Sequence, residues 1–418
     1  LLDGIIAVIL LMVLSGDLLT LLVAWHLLGV FLYFLLNHQT ERPSANRYAF
    51  WTLFTHRIGD LPLLAATALL YHSYGTLQLP ALFELIAANP DATTLFGLPL
   101  TETVGVLILL AAFAKSAQFP LHTWLPYTMD GPTPVSALMH AGIVNAGGFL
   151  INRFAPVFVH TESVLLLAFV IGFITTILGS LMMLMQSDIK KALGYSTMGQ
   201  MGYMVMECGL GAFSLAIYHL IAHGVFKATL FIASGSITHK ARKDPNIPEV
   251  EIYKFMVERR VPRPPLSWVV FAAITITVPL IIVFGAHQIV DQGFLQYQGA
   301  IILLLFGWIT GAQTLFFVYK IGVERPFRVL FYVILSFGLV ILSYVLIGHS
   351  FDALLYPDPA FREALYAAAS IDGTSFALAL TALILLIYRL GGHIPTPGIN
   401  RAALQAFFEA QSGSLMGL

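Results

Sequence analysis

Three clusters of ionisable residues sit inside stretches that are otherwise apolar, and their spacing is that of single helix faces. In THRIGD, residues 55–60, Arg57 and Asp60 are three apart and His56 and Asp60 four apart, so they can pair on one helix. In AAFAKSAQFPLHTWLP, residues 111–126, Gln118 and His122 follow Lys115 at offsets of three and seven, which would form one stripe. Pro120 has no N–H to give and should break the helix around Lys115–Gln118. In YHLIAHGVFK, residues 218–227, His219, His223 and Lys227 recur every four residues as a polar ridge. Imidazoles carry protons near neutral pH, and a lysine held away from water can exchange one. Two histidines four apart also suit zinc, but no acidic or thiol partner stands beside them in sequence. The chemistry these residue types favour is proton relay. The plainer alternatives are a self-neutralised Arg57–Asp60 pair near a span end, where arginine can snorkel, and polar residues satisfied between helices.

The clusters matter because of what surrounds them. The 418 residues are 58% hydrophobic and only 10% charged, with a mean hydropathy of +0.83. Soluble domains carry roughly a quarter charged residues, so this is an integral membrane chain. A net charge of −1 gives no reason to expect nucleic acid. Cys208 is the single cysteine, which excludes an internal disulfide and any cysteine-rich metal or iron–sulfur centre. Ionisable groups at membrane depth are costly and default to functional hypotheses.

An all-α polytopic bundle is expected, with about twelve spans near 4–15, 18–36, 48–73, 103–127, 133–151, 162–186, 191–209, 212–237, 265–289, 298–319, 328–348 and 373–390. Residues 1–348 read as the transmembrane core. Residues 349–418 read as a last outer loop, a final span and an amphipathic tail after Pro397 that either lies on the membrane or frays. The chain opens in apolar sequence without Met or a signal peptide, as if in mid-span, so segments upstream of Leu1 are expected. Alternate loops hold 16 of the 21 Lys and Arg residues, seven of them in 240–263. The opposite loops hold only Arg153 and Arg362. This bias places loop 238–264 and the C-terminus on the cytoplasmic side, with loops 74–102 and 349–372 outside.

Between the clusters lies DGPTPVSALMHAGIVNAGG, with Ser136 and His140 four apart. If neighbours in sequence pack together, His140 falls between Lys115 and Lys227, giving a file of Asp60, Lys115, His140, His219, His223 and Lys227. A second broken helix is expected at Pro279, in ITITVPLIIVFGAHQ. Paired discontinuous helices point to two inverted repeats. No ionisable residue precedes Pro279 as Lys115 precedes Pro120.

AKSAQFPLHTWLP…GPTPVSALMHA, SDIKKALGYSTMGQMGYM and HLIAHGVFKATLFIASGS resemble the antiporter-like membrane subunits of respiratory complex I and of multisubunit cation/proton antiporters, over about residues 1–320. The resemblance implies about fourteen helices in two inverted five-helix repeats, with three spans before Leu1. It also implies that Lys115, His140 and Lys227 carry protons. The chain departs from that family in LVAWHLLG, where His26 follows Trp25 in place of the usual glutamate, the partner of the lysine. Asp60 is the obvious substitute. The family's charged residue on the second broken helix is unmatched, unless His287 replaces it. Asn145 and the NRFAP ending resemble a separate branch, the DabB membrane subunit of inorganic-carbon accumulation complexes. That likeness implies a large, cytoplasm-facing, zinc-containing partner related to carbonic anhydrases (DabA-like). Cation flow through the membrane subunit would drive CO2 hydration to bicarbonate there. The chain itself would hold no cofactor and perform no chemistry alone. The alternatives are a proton-pumping subunit of an NADH-quinone oxidoreductase, a Na+/H+ antiporter subunit of the Mrp type, or a scaffold without ion flux.

Overall fold

The computed structural model describes residues 1–38, 41–130, 133–186, 188–243, 268–290 and 326–369, with positions 302–305, 308, 312, 315, 371 and 376 besides. Every element among them is helical, apart from two isolated β-bridges. The expected all-α membrane bundle is therefore observed. Helices α1 (Leu2–Leu14), α2 (Leu18–Leu36), α3 (Pro43–Tyr74), α4 (Leu79–Ala88) and α5 (Leu100–Lys115) come first. They are followed by α6 (Thr133–Ala141), α7 (Ala146–Arg153), the short α8 (Ala155–Phe158), α9 (Glu162–Leu184), α10 (Ile189–Gly209) and α11 (Phe213–Lys243). Then come α12 (Trp268–Val290), α13 (Pro326–Leu355) and α14 (Pro359–Ala368).

Six of the described helices or helix pairs are long and apolar enough to cross a membrane: 18–36, 133–153, 162–183, 213–234, 273–290 and 330–355. The expected span 298–319 is described only in part. The span 373–390, most of loop 238–264 and the tail after Pro397 lie outside the described residues.

The chain divides into two compact units, Leu1–His239 with Asp358–Ser370, and Lys240–Pro357 with Ile371–Leu418. In the first unit, helix ends are set by ordinary local chemistry. Asp17 caps α2 by accepting from the Thr20 N–H at 2.8 Å, and Asp188 caps α10 by accepting from the Lys191 N–H at 2.9 Å. Pro43 opens α3, where its missing N–H costs nothing, and Gly75 closes it at φ +68°. Helices α9 and α10 form the most extensive pairing. It depends on small residues that let backbones approach. A Cβ on Gly202 would stand 2.7 Å from the Gly172 carbonyl oxygen and 2.6 Å from the Thr176 nitrogen. Gly202→Leu is thus expected to push α9 from α10 and destabilise the protein by roughly 1–3 kcal/mol or more. A lowered melting temperature in detergent would register it.

Pro279 behaves differently from expectation. In the second unit α12 runs through it without interruption. One proline removes a single N–H from the ladder. The N–H it lacks would have reached the Thr275 carbonyl, and the neighbouring Ile276 carbonyl accepts from the Trp308 indole N–H at 2.8 Å. His287 Nδ1–H donates to the Val283 carbonyl one turn back at 2.8 Å. The helix is therefore continuous here, and the expected second break is absent from these residues.

Candidate functional site

The Lys115 region is broken, as Pro120 suggested, and the break is fully supported. Helix α5 ends at Lys115. The Phe119–Pro120 peptide is cis. Three of the carbonyls left by the ending helix find donors. Ala112 accepts from the Ser116 N–H at 2.9 Å, Phe113 from the Gln118 N–H at 2.9 Å, and Ala114 from the Trp124 indole N–H at 2.9 Å. Non-helical backbone at membrane depth is tolerated when its polar groups are satisfied inside protein. The expected Lys115–Gln118–His122 stripe does not form, because the helix stops before Gln118. The Gln118 amide instead donates to the Ser116 carbonyl at 2.9 Å, and the His122 ring stacks on Phe119.

A second break lies where the sequence pattern predicts one span over 133–151: α6 stops at Ala141 and α7 starts at Ala146, with a 3-10 turn at Ile143–Asn145 between them. The two breaks touch. The Ser116 hydroxyl donates to the Val144 carbonyl at 2.5 Å and accepts from the Gly147 N–H at 3.1 Å. Asn145 donates to the Ala141 carbonyl at 2.6 Å and to the Leu220 carbonyl at 3.3 Å, tying the break to α11. Lys115 and His140 thus occupy the last turns of two interrupted helices. The negative end of a helix dipole favours a cation there.

Lys115 is fully buried. Its ammonium donates to the Trp25 carbonyl at 2.8 Å and lies 5.2 Å from the Trp25 ring centre. Asp60 is its carboxylate, with Oδ1 3.9 Å from Nζ. The other oxygen, Oδ2, lies 3.0 Å from Arg57 and 3.0 Å from His26 Nδ1. Arg57 also contacts the His26 ring and donates to the His26 carbonyl at 2.9 Å. One carboxylate therefore serves Lys115, Arg57 and His26, and Asp60 stands where the sequence suggested a substitute for the missing glutamate. Packing explains the approach. Gly59 on α3 faces Ala111 and Ala114 on α5, and Gly29 on α2 leaves room for the Arg57 guanidinium. His26 is 51% exposed, and exposed ion pairs contribute about 0–1 kcal/mol. His26→Glu adds a carboxylate to a group that already holds two cations. It is expected to change ion flux less than about fivefold, measured in reconstituted vesicles.

His140 is buried and stacks on Phe231 at 4.3 Å between ring centres. Among the described residues neither of its ring nitrogens has a hydrogen-bond partner, and the same holds for His56 and His223. On α11, His219 and His223 lie 6.1 Å apart between ring centres. Lys227, one turn further, is 2% exposed and donates to the Ser196 hydroxyl at 2.7 Å. The residues singled out by spacing therefore fall on α2, α3, α5, α6 and α11 of one compact unit. The structure gives no direct side-chain bond from Lys115 to His140.

The histidine pair does have an acidic neighbour, contrary to the sequence reading. Glu207 on α10 is wholly buried, with Oε2 3.0 Å from His219 Nδ1. Gln200 Oε1 lies 3.0 Å from His219 Nε2. The signal was present as an intramembrane acid in MGYMVMECGL. Its proximity to a span end, twelve residues from His219, hid the pairing. Among the described residues no group of three or more His, Cys, Asp or Glu could hold a metal ion.

Residues 15–312 match the model of the NADH:quinone oxidoreductase/Mrp antiporter transmembrane family. The chain belongs to that family. A relative from Halothiobacillus neapolitanus, described as a probable inorganic carbon transporter subunit DabB1, is 58% identical over 376 residues, covering 90% of this chain and 67% of the relative. Subunit 5 of the chloroplast NAD(P)H-quinone oxidoreductase of Piper cenocladum is 42% identical over 231 residues, or 54% of this chain and 31% of that protein. This member of the family thus spans about two thirds of the first relative and under a third of the second. In the solved Mrp complex from Dietzia sp. DQ12-45-1b, one chain shares 25% identity with a TM-score of 0.55, over 99% of this chain and 51% of its own length. An archaeal membrane-bound sulfane sulfur reductase shares the fold, at 19% identity and a TM-score of 0.52, over 85% of this chain and 75% of its own. These likenesses make the protein a multi-pass, antiporter-like membrane subunit.

Proposed function

We propose that this chain is the cation-conducting membrane subunit of an inorganic-carbon uptake complex. It passes H+, or Na+, along the Asp60–Lys115–His140–Lys227 file. The energy released drives CO2 hydration in a large cytoplasmic, zinc-containing, carbonic-anhydrase-like partner. The observation that favours this over its relatives' other activities is the 58% identity to the DabB1 subunit across 90% of the chain. The site supports conduction. Two interrupted helices carry Lys115 and His140 at their ends, and among the described residues the buried imidazoles of His140 and His223 have no hydrogen-bond partner. Buried polar groups need hydrogen bonds, so water is the natural link between them. The 42% identity to a quinone oxidoreductase subunit favours the second reading, a proton-pump module.

The deciding experiment is purification of the tagged full-length protein in mild detergent, with mass spectrometry of its companions. Recovery of one large zinc-containing soluble protein is expected. Recovery of iron–sulfur and quinone-reducing subunits, or of several small antiporter subunits, would overturn the inorganic-carbon reading.

A further inference from the structure

The contact between Glu207 and His219 carries more than a stray ion pair. His219 offers its two ring nitrogens to two oxygens, the Glu207 carboxyl at 3.0 Å and the Gln200 amide oxygen at 3.0 Å. A carboxylate and an amide oxygen only accept, and a neutral imidazole has one N–H to donate. Two protonation states satisfy both contacts. In one, an imidazolium donates from Nδ1 to a Glu207 carboxylate and from Nε2 to Gln200. In the other, a protonated Glu207 donates to Nδ1 while Nε2–H still donates to Gln200. The states differ by one proton crossing one contact: the Nδ1–H bond breaks and the Oε2–H bond forms. No side chain needs to turn, because Gln200 holds the Nε2–H in both.

The pair is continuous with the ridge on α11. His223 is the next residue on that face, and Lys227 the one after. Glu207 stands near the end of α10 opposite Lys190 and Lys191, whereas Ser196, the partner of Lys227, lies about one and a half turns from those lysines. The file from Lys227 to Glu207 therefore runs along α10 rather than only across the bundle. We propose that Glu207 is a proton-carrying residue, the terminal acid of this file, which takes the proton of His219 and returns it. The proposal rests on the conduction reading above and adds an acid that reading does not use.

The test uses the full-length protein with its copurified partner in vesicles containing a pH-sensitive dye. Four versions are compared: wild type, Lys115→Ala, Glu207→Gln and Glu207→Asp. Glu207→Gln keeps the size and hydrogen bonding of the side chain but cannot ionise, so proton flux should fall roughly tenfold or more. Glu207→Asp keeps an acid and should retain most of the flux. Infrared difference spectra after a pH jump should show a protonated-carboxyl band that Glu207→Gln lacks and Glu207→Asp shifts. A structural pair would not produce that signature. Wild-type flux in Glu207→Gln, or a band that neither variant alters, would overturn the proposal while leaving conduction through Lys115 intact. If Glu207→Gln fails to assemble, the Glu207→Asp spectrum decides, because an unshifted band overturns the assignment. Wild-type vesicles no more conductive than Lys115→Ala would overturn the conduction reading and this proposal together.

Discussion

Lys115→Ala is expected to abolish ion flux and carbon-dependent growth while leaving a folded protein in the membrane. Alanine is the best helix former, and Lys115 is the last residue of α5, so the backbone has no reason to change. The residues left behind are not stranded either. Asp60 keeps Arg57 and His26 within 3.0 Å, so its charge remains paired. The reverse substitution differs. Asp60→Asn leaves the buried ammonium with the Trp25 carbonyl and no carboxylate. Breaking a buried pair by removing one partner costs about 3–5 kcal/mol, so Asp60→Asn should lower membrane abundance as well as flux. Lys115→Arg separates a proton carrier from a fixed counter-charge. Arginine keeps its charge but does not release its proton. If Lys115 only neutralised Asp60, arginine would restore function. As a carrier it should not, and flux should stay down by on the order of 100-fold. Flux in reconstituted vesicles, normalised to protein recovered, is the measurement.

The contacts of Lys115 are only partly legible in the sequence. Low charge makes most intramembrane ionisable residues conspicuous, and helix periodicity places Arg57 with Asp60 and His219 with His223 and Lys227 on shared faces. Those pairings are local, within one helix, and local geometry can be read from spacing. Pro120 likewise announced the break after Lys115. The break at Ile143–Asn145 carried a weaker mark. Gly142, Gly147 and Gly148 flank it, but glycine is common in membrane helices for packing and does not interrupt one by itself. Pro279 misled in the opposite direction. A proline costs one hydrogen bond, and whether the helix breaks depends on the packing around it, since α12 continues through Pro279. Glu207 was missed for the same reason: a pairing across a helix turn depends on how α10 and α11 pack, and spacing says nothing about that. The file places Asp60 next to Lys115, and the family pattern, which leaves the lysine without its usual glutamate, points to the same carboxylate.

The second large effect concerns Lys227, whose surroundings differ from those of Lys115. It is nearly as deeply buried, yet it donates to the Ser196 hydroxyl, and among the described residues no carboxylate lies within ion-pair distance. A buried amine held by one neutral oxygen is a burden on the fold, because burial of a charge or an amine without full compensation is unfavourable. Lys227→Met keeps much of the volume and removes the polar group. Replacing buried charged groups with well-packed apolar ones is often neutral or stabilising by about 1–4 kcal/mol. The expected result is therefore a melting temperature unchanged or raised, together with flux reduced on the order of 100-fold. Gains in stability paired with loss of transport would mean that the membrane retains an unfavourable lysine for what it carries. A protein equally active after Lys227→Met would reduce the α11 ridge to interhelical packing, and would leave Lys115 and His140 without a continuation.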